Sequence, residues 1–320
     1  MRSFFALALA GVSSATLMEK ADFEFMKYIS QWGKRYGTQE EFNYRLSLFK
    51  QAAKEIEEHN ASNPTSTMGH NMFSDWSEDE FQATLGFLAL EPLKGGEYGT
   101  FTPTDEDTVD WVAKGAVTAV KNQGSCGSCW SFSTTGSMEG AHFIKTGELL
   151  SLSEQQLVDC SHNGNLGCMG GMMDRAFTWT ETHPLETEQD YPYQGWTIFH
   201  GCREDASKGK VAAQSFVDVT PQDSDALKAA IAQGPVSVAI QANQKVFQRY
   251  SGGIITADCG TKLDHGVLAV GYGTDNGTPY YKVKNSWGAD WGEDGYVRIA
   301  ITDGAGMCGI QSQPSQPTTD

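Results

Sequence analysis

Two cysteines three residues apart, Cys126 and Cys129, stand in a stretch that reads Gln123-Gly124-Ser125-Cys126-Gly127-Ser128-Cys129-Trp130. Gly124 and Gly127 allow a tight turn, and residues 131–145 read as a helix that closes at Gly147. Cys129 therefore falls at or near a helix N-terminus. There the unpaired N–H groups and the positive end of the helix dipole favour an anion, so the thiol is expected to ionise more easily than a free one. Such a pair suits a nucleophilic thiolate, a redox dithiol, or part of a zinc site completed by Cys160, His162 and Cys168; a structural role is the plain alternative. A thiolate that attacks a carbonyl needs a base beside it, a group to hold that base, and donors for the oxyanion. His265, in Leu263-Asp264-His265-Gly266-Val267, leads into an apolar strand. Asn285, in Lys284-Asn285-Ser286-Trp287-Gly288, offers an acceptor for one imidazole nitrogen.

The elements around these residues bound what they can do. At 320 residues the chain has room for two domains and a buried core. Its formal charge of −17 argues against a nucleic-acid partner, and no basic segment suggests a membrane surface. From residue 103 onward, 14 Lys and Arg stand against 26 Asp and Glu. Met1-Arg2-Ser3 followed by the apolar run Phe4–Val12 reads as a signal peptide cleaved after Ala15, too short to span a bilayer. Export to an oxidising space, with seven cysteines, predicts a disulfide framework and one thiol left over.

Over residues 18–34, Phe25, Ile29 and Trp32 recur at roughly helical spacing. A second helix opens with Thr38 and Glu41 as a capping box, carries the stripe Phe42, Leu46, Phe49, Ala53 and Ile56 and the pair Glu41/Arg45, and ends at Asn60 with Pro64 beyond. Ser77 and Glu80 cap a short third helix running through Phe81 to Leu85. Residues 94–100 are glycine-rich and read as an exposed linker. Helical segments follow at Ser153–Cys160 and Met172–Glu181. Beyond about Ala212 the texture turns to strands, at 236–240, 266–271, 280–284 and 296–300, with Asn276-Gly277 as a hairpin turn. Helices first and strands second predict an α+β chain with two lobes. Asn276-Gly277-Thr278 and Asn60-Ala61-Ser62 are glycosylation sequons, and the hairpin tip makes the first the better exposed.

Three runs carry a family resemblance. Glu41-x3-Arg45-x3-Phe49-x6-Ile56-x3-Asn60 resembles the ERFNIN signature of papain-family propeptides, Gly69-x-Asn71-x-Phe73-x-Asp75 resembles the signature that follows it, and Val109 to Phe132 resembles the start of the mature peptidase. Ala52 departs from the pattern, which has an asparagine there; the loss of a surface polar group is expected. The order Cys129, His265, Asn285, with separations of 136 and 20 residues, is similar to that of the family. The resemblance, which is to a cathepsin L-like zymogen, implies a signal peptide (1–15), an inhibitory, mainly helical propeptide (16–102) and a papain-like two-lobed domain (103–320). That domain would have a helical lobe over about 103–212 and a β-barrel-like lobe over about 213–320, with a cleft between them. Processing would fall between about Tyr98 and Asp107.

It further implies Cys129 as nucleophile with a depressed pKa, His265 and Asn285 as its partners, Gln123 and the Cys129 amide as oxyanion donors, and Trp287 as a cover over the His265–Asn285 contact. Bridges Cys126–Cys168, Cys160–Cys202 and Cys259–Cys308 follow from the resemblance, as do no cofactor and no metal. Gly170 and Gly171 would pair with substrate backbone, Asp264 would lie beside it, and Met169 stands where the family has asparagine. Met172, Met173, Ala242 and Leu263 would wall the P2 pocket, with Gln313 on its floor or else in a mobile tail over 314–320. The implied partners are protein and peptide substrates, the chain's own propeptide as inhibitor, and protein inhibitors of the cystatin type, with the enzyme a monomer in a lysosome or other acidic vesicle, or secreted. Protonation of Asp75, Glu78, Asp79 and Glu80 in acid is expected to loosen the propeptide. A secreted thiol-disulfide oxidoreductase using Cys126 and Cys129, or a non-catalytic binding protein on the same fold, is the alternative.

Overall fold

A stripe of aromatic rings holds together the first two helices, α1 (Lys20–Gln31) and α2 (Gln39–Ser62). Phe25, Tyr28 and Phe49 are buried between them, with Ile29, Trp32, Tyr36, Phe42 and Leu46 packed around. Burying each such ring fully is worth about 1.5–3 kcal/mol, enough to hold a small core. The computed structural model describes residues 20–62, 65–90, 98–196, 201–257 and 259–320. The expected signal peptide (1–15) and residues 94–97 of the expected linker lie outside those residues.

Details of this unit differ from expectation. Thr38 Oγ1 accepts the Glu41 N–H at 3.1 Å, but the Glu41 carboxylate takes the Gly37 N–H at 3.0 Å, so only half of the capping box forms as drawn. Ala52 is fully buried, so no surface polar group was lost there. It lies three residues after Phe49 on the same face, so the inward stripe turns toward position 52. Arg45 contacts Glu41 only at 3.8 Å; its strong partner is Glu80, held by two hydrogen bonds of 2.5 and 2.7 Å.

β1 (Ser66–Met68) and α3 (Glu78–Gln82) complete the N-terminal unit, and α3 has the full capping box of Ser77 and Glu80. Between them Asp75 accepts from Tyr28 Oη, Lys34 Nζ and Tyr36 Oη at 2.7–2.8 Å, tying the loop to the first helices.

The remaining elements are β2 (Val109–Asp110), α4 (Cys129–Thr146), α5 (Glu154–Cys160), α6 (Met173–Thr180), β3 (Ala213–Asp218), α7 (Ser224–Gln233), β4 (Val236–Ile240), α8 (Lys245–Gln248), β5 (Tyr250–Ile255), β6 (His265–Asp275), β7 (Thr278–Lys284), β8 (Tyr296–Ala300) and β9 (Ser315–Thr319). The described strands form one sheet in the order β1-β5-β8-β7-β6-β4-β9-β3, with β2 added to β6. The order runs from edge to edge, so the sheet is barrel-like without closing. Only β5 and β8 are parallel.

Two cores lie on either side of α4. Trp130, Met138, Leu157 and Phe177 centre the helical one, and Val267, Tyr281, Trp287 and Trp291 the strand one. Chain and lobe do not divide cleanly at residue 212. Val109 of β2 packs in the strand core, whereas Ala213 and Phe216 of β3 pack in the helical core. β9 lies between β3 and β4, pairing Ala213 with Thr319 and Ser237 with Ser315. The reading of 314–320 as a mobile tail is therefore wrong: those residues are a strand, and Lys145 Nζ caps its Thr319 carbonyl at 2.9 Å. The end of the expected linker is exposed at Tyr98 but tied to the sheet, since Tyr98 bridges to Asp218 and the Gly99 N–H meets the Asp218 carbonyl at 2.8 Å.

Candidate active site

Cys129 is the first residue of α4, and among the described residues it is the free cysteine. Bridges join Cys126 to Cys168, Cys160 to Cys202 and Cys259 to Cys308, so Cys160 and Cys168 are not available as zinc ligands. Each bridge contributes about 2–4 kcal/mol by restricting the unfolded chain. The first fixes the turn before α4 against the segment that carries Gly170 and Gly171, reinforced by the Gly127 N–H on the Cys168 carbonyl at 3.0 Å.

His265 opens β6, and the Gly266 N–H that follows it points at Cys129 Sγ from 3.3 Å. Antiparallel pairing of Leu268 with Lys284 brings Asn285, just past β7, back alongside the start of β6. His265 Nε2 lies 2.8 Å from Asn285 Oδ1. The same oxygen accepts the Ser286 N–H at 2.8 Å, which identifies it as the amide oxygen and makes Nε2 the donor. Nδ1 is thereby left a bare base, buried and without a hydrogen-bond partner among the described residues. The Trp287 ring lies over the imidazole with centroids 4.7 Å apart, shielding the Asn285 contact.

Gln123 is fully buried. Its Oε1 accepts from Ser286 Oγ at 2.7 Å, which aims its Nε2 into the cleft, where it donates to the Cys126 and Thr84 carbonyls at 2.8 Å each. Thr84 belongs to the N-terminal unit. Its neighbours cross the cleft from wall to wall: the Gly171 N–H donates to the Gly86 carbonyl and the Leu88 N–H to the Gly171 carbonyl, both at 2.9 Å, while the Phe87 N–H reaches the Asp264 carbonyl at 3.0 Å. A side chain on Gly86 is impossible in this position, because a Cβ would stand 1.8 Å from the Gly127 carbonyl oxygen. Gly86→Ala is therefore expected to lift residues 84–88 from the cleft. Losing several backbone hydrogen bonds of about 1 kcal/mol each should speed amide exchange at Gly171 and Leu88 roughly 10–100-fold. Unchanged exchange there would refute this path for the segment.

This cover reverses one expectation. Burial pushes the Cys129 thiol up to about 11, although N–H groups of Gly266, Gly86 and Trp130 pull it the other way. Burial likewise pushes His265 down to about 4, against the raising effect of Asn285. With the cleft covered, the helix end does not produce a depressed thiol pKa. Desolvation outweighs it, and both groups are neutral near pH 7.

Met172, Met173 and Ala242 are buried and Leu263 partly so, and Leu90 packs onto the cluster that holds the two methionines and Leu263. Gln313 Nε2 is 3.4 Å from the Leu90 carbonyl, so the side chain faces the cleft side of the tail and not solvent. The Asp264 carboxylate is turned away, accepting the Ala242 and Asn243 N–H groups; burial still raises it to about 6. Met169 is 77% exposed. Asn276 stands exposed at its hairpin, whereas the Asn60 amide is engaged with both backbone groups of Met68. Sequence reasoning missed Tyr193, whose hydroxyl joins Ser128 Oγ to the Gln123 carbonyl, and Ser286, which orients Gln123. Ser286 adjoins Asn285 in sequence and was within reach of inspection; Tyr193 carries no local signal.

The family model described as papain family cysteine protease matches residues 106–318, and the cathepsin propeptide inhibitor domain matches residues 25–81. Cysteine proteinase RD21A of Arabidopsis thaliana is 39% identical over 343 residues, covering 97% of this chain and 73% of that one. Among solved structures, digestive procathepsin L 3 of the Tenebrio molitor larval midgut superposes with TM-score 0.85 at 38% identity, covering 94% of this chain and 100% of that chain. A recombinant stem bromelain precursor gives TM-score 0.87 at 34% identity, covering 94% and 99%.

Proposed function

The chain belongs to the papain family of cysteine proteases, in zymogen form with its own propeptide as inhibitor, and on that premise we propose that Cys129, His265, Asn285 and Gln123 are its catalytic groups. The observation that carries this reading is the free thiol at the head of α4, with the Gly266 amide on its sulfur and the bare Nδ1 of His265 next in the chain. Once residues 84–88 leave, the thiol proton passes to Nδ1, and the thiolate attacks the scissile carbonyl. Gln123 Nε2 and the Cys129 N–H receive the oxyanion; Nε2 already holds a carbonyl oxygen, that of Thr84, in the covered state. Collapse expels the amine with the imidazolium proton and leaves a thioester. Water, deprotonated by His265, then releases the acid and restores the thiol.

The division into signal peptide (1–15), propeptide (16–102) and peptidase (103–320), with processing between about Tyr98 and Asp107, is part of the proposal. So are a lysosomal or other acidic vesicle, or secretion, as its location, a monomeric state, and binding of cystatin-type inhibitors; among the described residues no helix is long and apolar enough to cross a membrane. The P2 pocket of Met172, Met173, Ala242 and Leu263 favours Leu, Phe or Val, and the uncharged Gln313 gives arginine no ion pair. A P2 scan is expected to show Leu or Phe at least about tenfold above Arg in kcat/KM, the worth of burying one or two methylenes; parity of Arg with Leu would refute it.

Activation by acid needs one amendment. Hydrogen bonds from Arg45 hold Glu80 down to about 2. A carboxylate with a depressed pKa stabilises the fold above its ordinary value and loses that contribution as pH falls toward the depressed one, so this pair survives at pH 5. Propeptide and peptidase are held together by other pairs, Glu78 with Lys245 at 2.6 Å and Glu55 with Arg249 at 2.9 Å. At pH 5 the purified zymogen is expected to show a lag, ending as N-terminal sequencing finds a new start between residues 98 and 107. Full activity of the uncut chain without a lag would overturn the scheme.

A further inference from the structure

Away from the cleft, the propeptide occupies a second surface, and its contacts there are of two kinds. β1 adds an edge strand to the sheet, pairing Ser66 with Gly253, Thr67 with Gly252 and Met68 with Tyr250. The Ile254 N–H meets the Thr65 carbonyl at 2.6 Å, the Gly69 N–H meets the Arg249 carbonyl at 2.9 Å, and Asn71 Nδ2 meets the Gln248 carbonyl at 2.8 Å. Beside this edge two cations of the peptidase are paired with propeptide carboxylates, Arg249 with Glu55 at 2.9 Å and Lys245 with Glu78 at 2.6 Å. Arg249 is almost fully buried there, and the peptidase around it carries 14 Lys and Arg against 26 Asp and Glu. A basic strip on so acidic a domain calls for a reason.

Processing, as read above and on which this inference rests, removes β1, Glu55 and Glu78 together. It leaves a sheet edge with unpaired backbone groups and, on α8 and its cap at one end of that edge, two cations without their carboxylates. We propose that in the processed enzyme this edge is a docking strip for an extended acidic stretch of an unfolded protein substrate. The stretch is held by strand addition to β5 and by a carboxylate on Arg249 or Lys245. The propeptide shows the chemistry of the guest: small polar residues at Thr65, Ser66 and Thr67 along β5, with the Glu55 and Glu78 carboxylates on the cations at one end of it. β5 is separated from β6, which carries His265, by β8 and β7, or roughly 14 Å at the spacing of strands, so one unfolded chain can occupy both places. Two copies of the peptidase, each strongly negative, repel one another and make poorer occupants. The space belongs to the guest: a Cβ on Gly253 would stand 2.3 Å from the Thr65 carbonyl oxygen, its nearest neighbours all being atoms of the propeptide.

The test uses processed, active-site-titrated enzyme as wild type, Arg249→Gln and Gly253→Ala. The substrates are a blocked dipeptide amide with leucine at P2, casein as an unfolded acidic protein, and casein with its carboxylates amidated. Dipeptide hydrolysis should stay within about twofold in both variants, while kcat/KM on casein falls roughly 5–10-fold through KM, by the loss of one charge-assisted contact in Arg249→Gln and by a methyl group in the path of the added strand in Gly253→Ala. Wild type should lose a similar factor on amidated casein relative to the dipeptide, which decides the matter even if a variant fails to fold. The proposal is overturned if the casein-to-dipeptide ratio is the same throughout, if both substrates fall together, or if the ratio rises with enzyme concentration, which would assign the edge to a second copy. Failure of wild type to cleave the dipeptide would instead refute the peptidase reading.

Discussion

Replacing Cys129 by alanine is expected to lower kcat on a fluorogenic peptide by more than about 10⁴-fold, leaving no burst of acyl-enzyme. The size follows from the arrangement. With sulfur gone, Gln123 and the α4 amides still bind a carbonyl oxygen, but nothing attacks it, and residual rates over water come from binding alone. The fold should tolerate the change, because Cys129 has no covalent partner and contributes little more than a small buried group. Thermal unfolding of the zymogen should therefore move by only a few degrees. Cys126→Ala is the informative contrast. It breaks the bridge to Cys168 and costs about 2–4 kcal/mol of stability, yet spares the nucleophile. An oxidoreductase would lose disulfide-reducing activity equally in both variants; insulin reduction that depends on both cysteines, with peptide hydrolysis intact in Cys129→Ala, would defeat the assignment.

The second large effect concerns the thiol before processing. With its pKa raised to about 11, Cys129 in the zymogen is expected to react with iodoacetamide at pH 7 about 300-fold more slowly than free cysteine, from the thiolate fraction alone. Burial under Gly86 adds to that. After processing, alkylation should become fast and the ultraviolet absorbance of a thiolate should appear. In the covered state sulfur carries the proton and the imidazole, lowered to about 4, is neutral. In the open state the same proton rests on Nδ1. The number of protons held is equal, so between the macroscopic values of the pair uncovering is independent of pH at this site. Acid sensitivity must arise in the carboxylates of the propeptide. Fast alkylation of the uncut chain, or uptake of a full proton at this site on uncovering, would contradict this account.

How far the sequence could be read depended on the range of the interactions. Cys129, Gln123, His265 and Asn285 each sit in a short context that states its chemistry, and the structure brings the four together. The helices of the N-terminal unit were legible from periodicity because α1 and α2 settle their packing within a few turns. Their inner edge was not, since whether Ala52 faces in or out depends on how the two helices meet. The strands at 66–68, 213–218, 250–255 and 315–319 left little local pattern, because each is specified by a partner far along the chain, as Ala213 is by Thr319. The thiol was misjudged for a related reason. A helix end can be inferred from neighbours, but burial by Gly86 comes from a segment more than forty residues away.

The position of β9 bears on how the protein is made. The strand lies between β3 and β4, so the sheet stays split until residues 315–319 have been made. The propeptide is synthesised first, and domains tend to fold in the order they emerge. Its helices have their aromatic core in hand before residue 129 is translated, whereas the wall that carries His265 is joined to its last strand only at residue 319. The inhibitor is thus made, and its core can close, before the last strand of the catalytic wall exists.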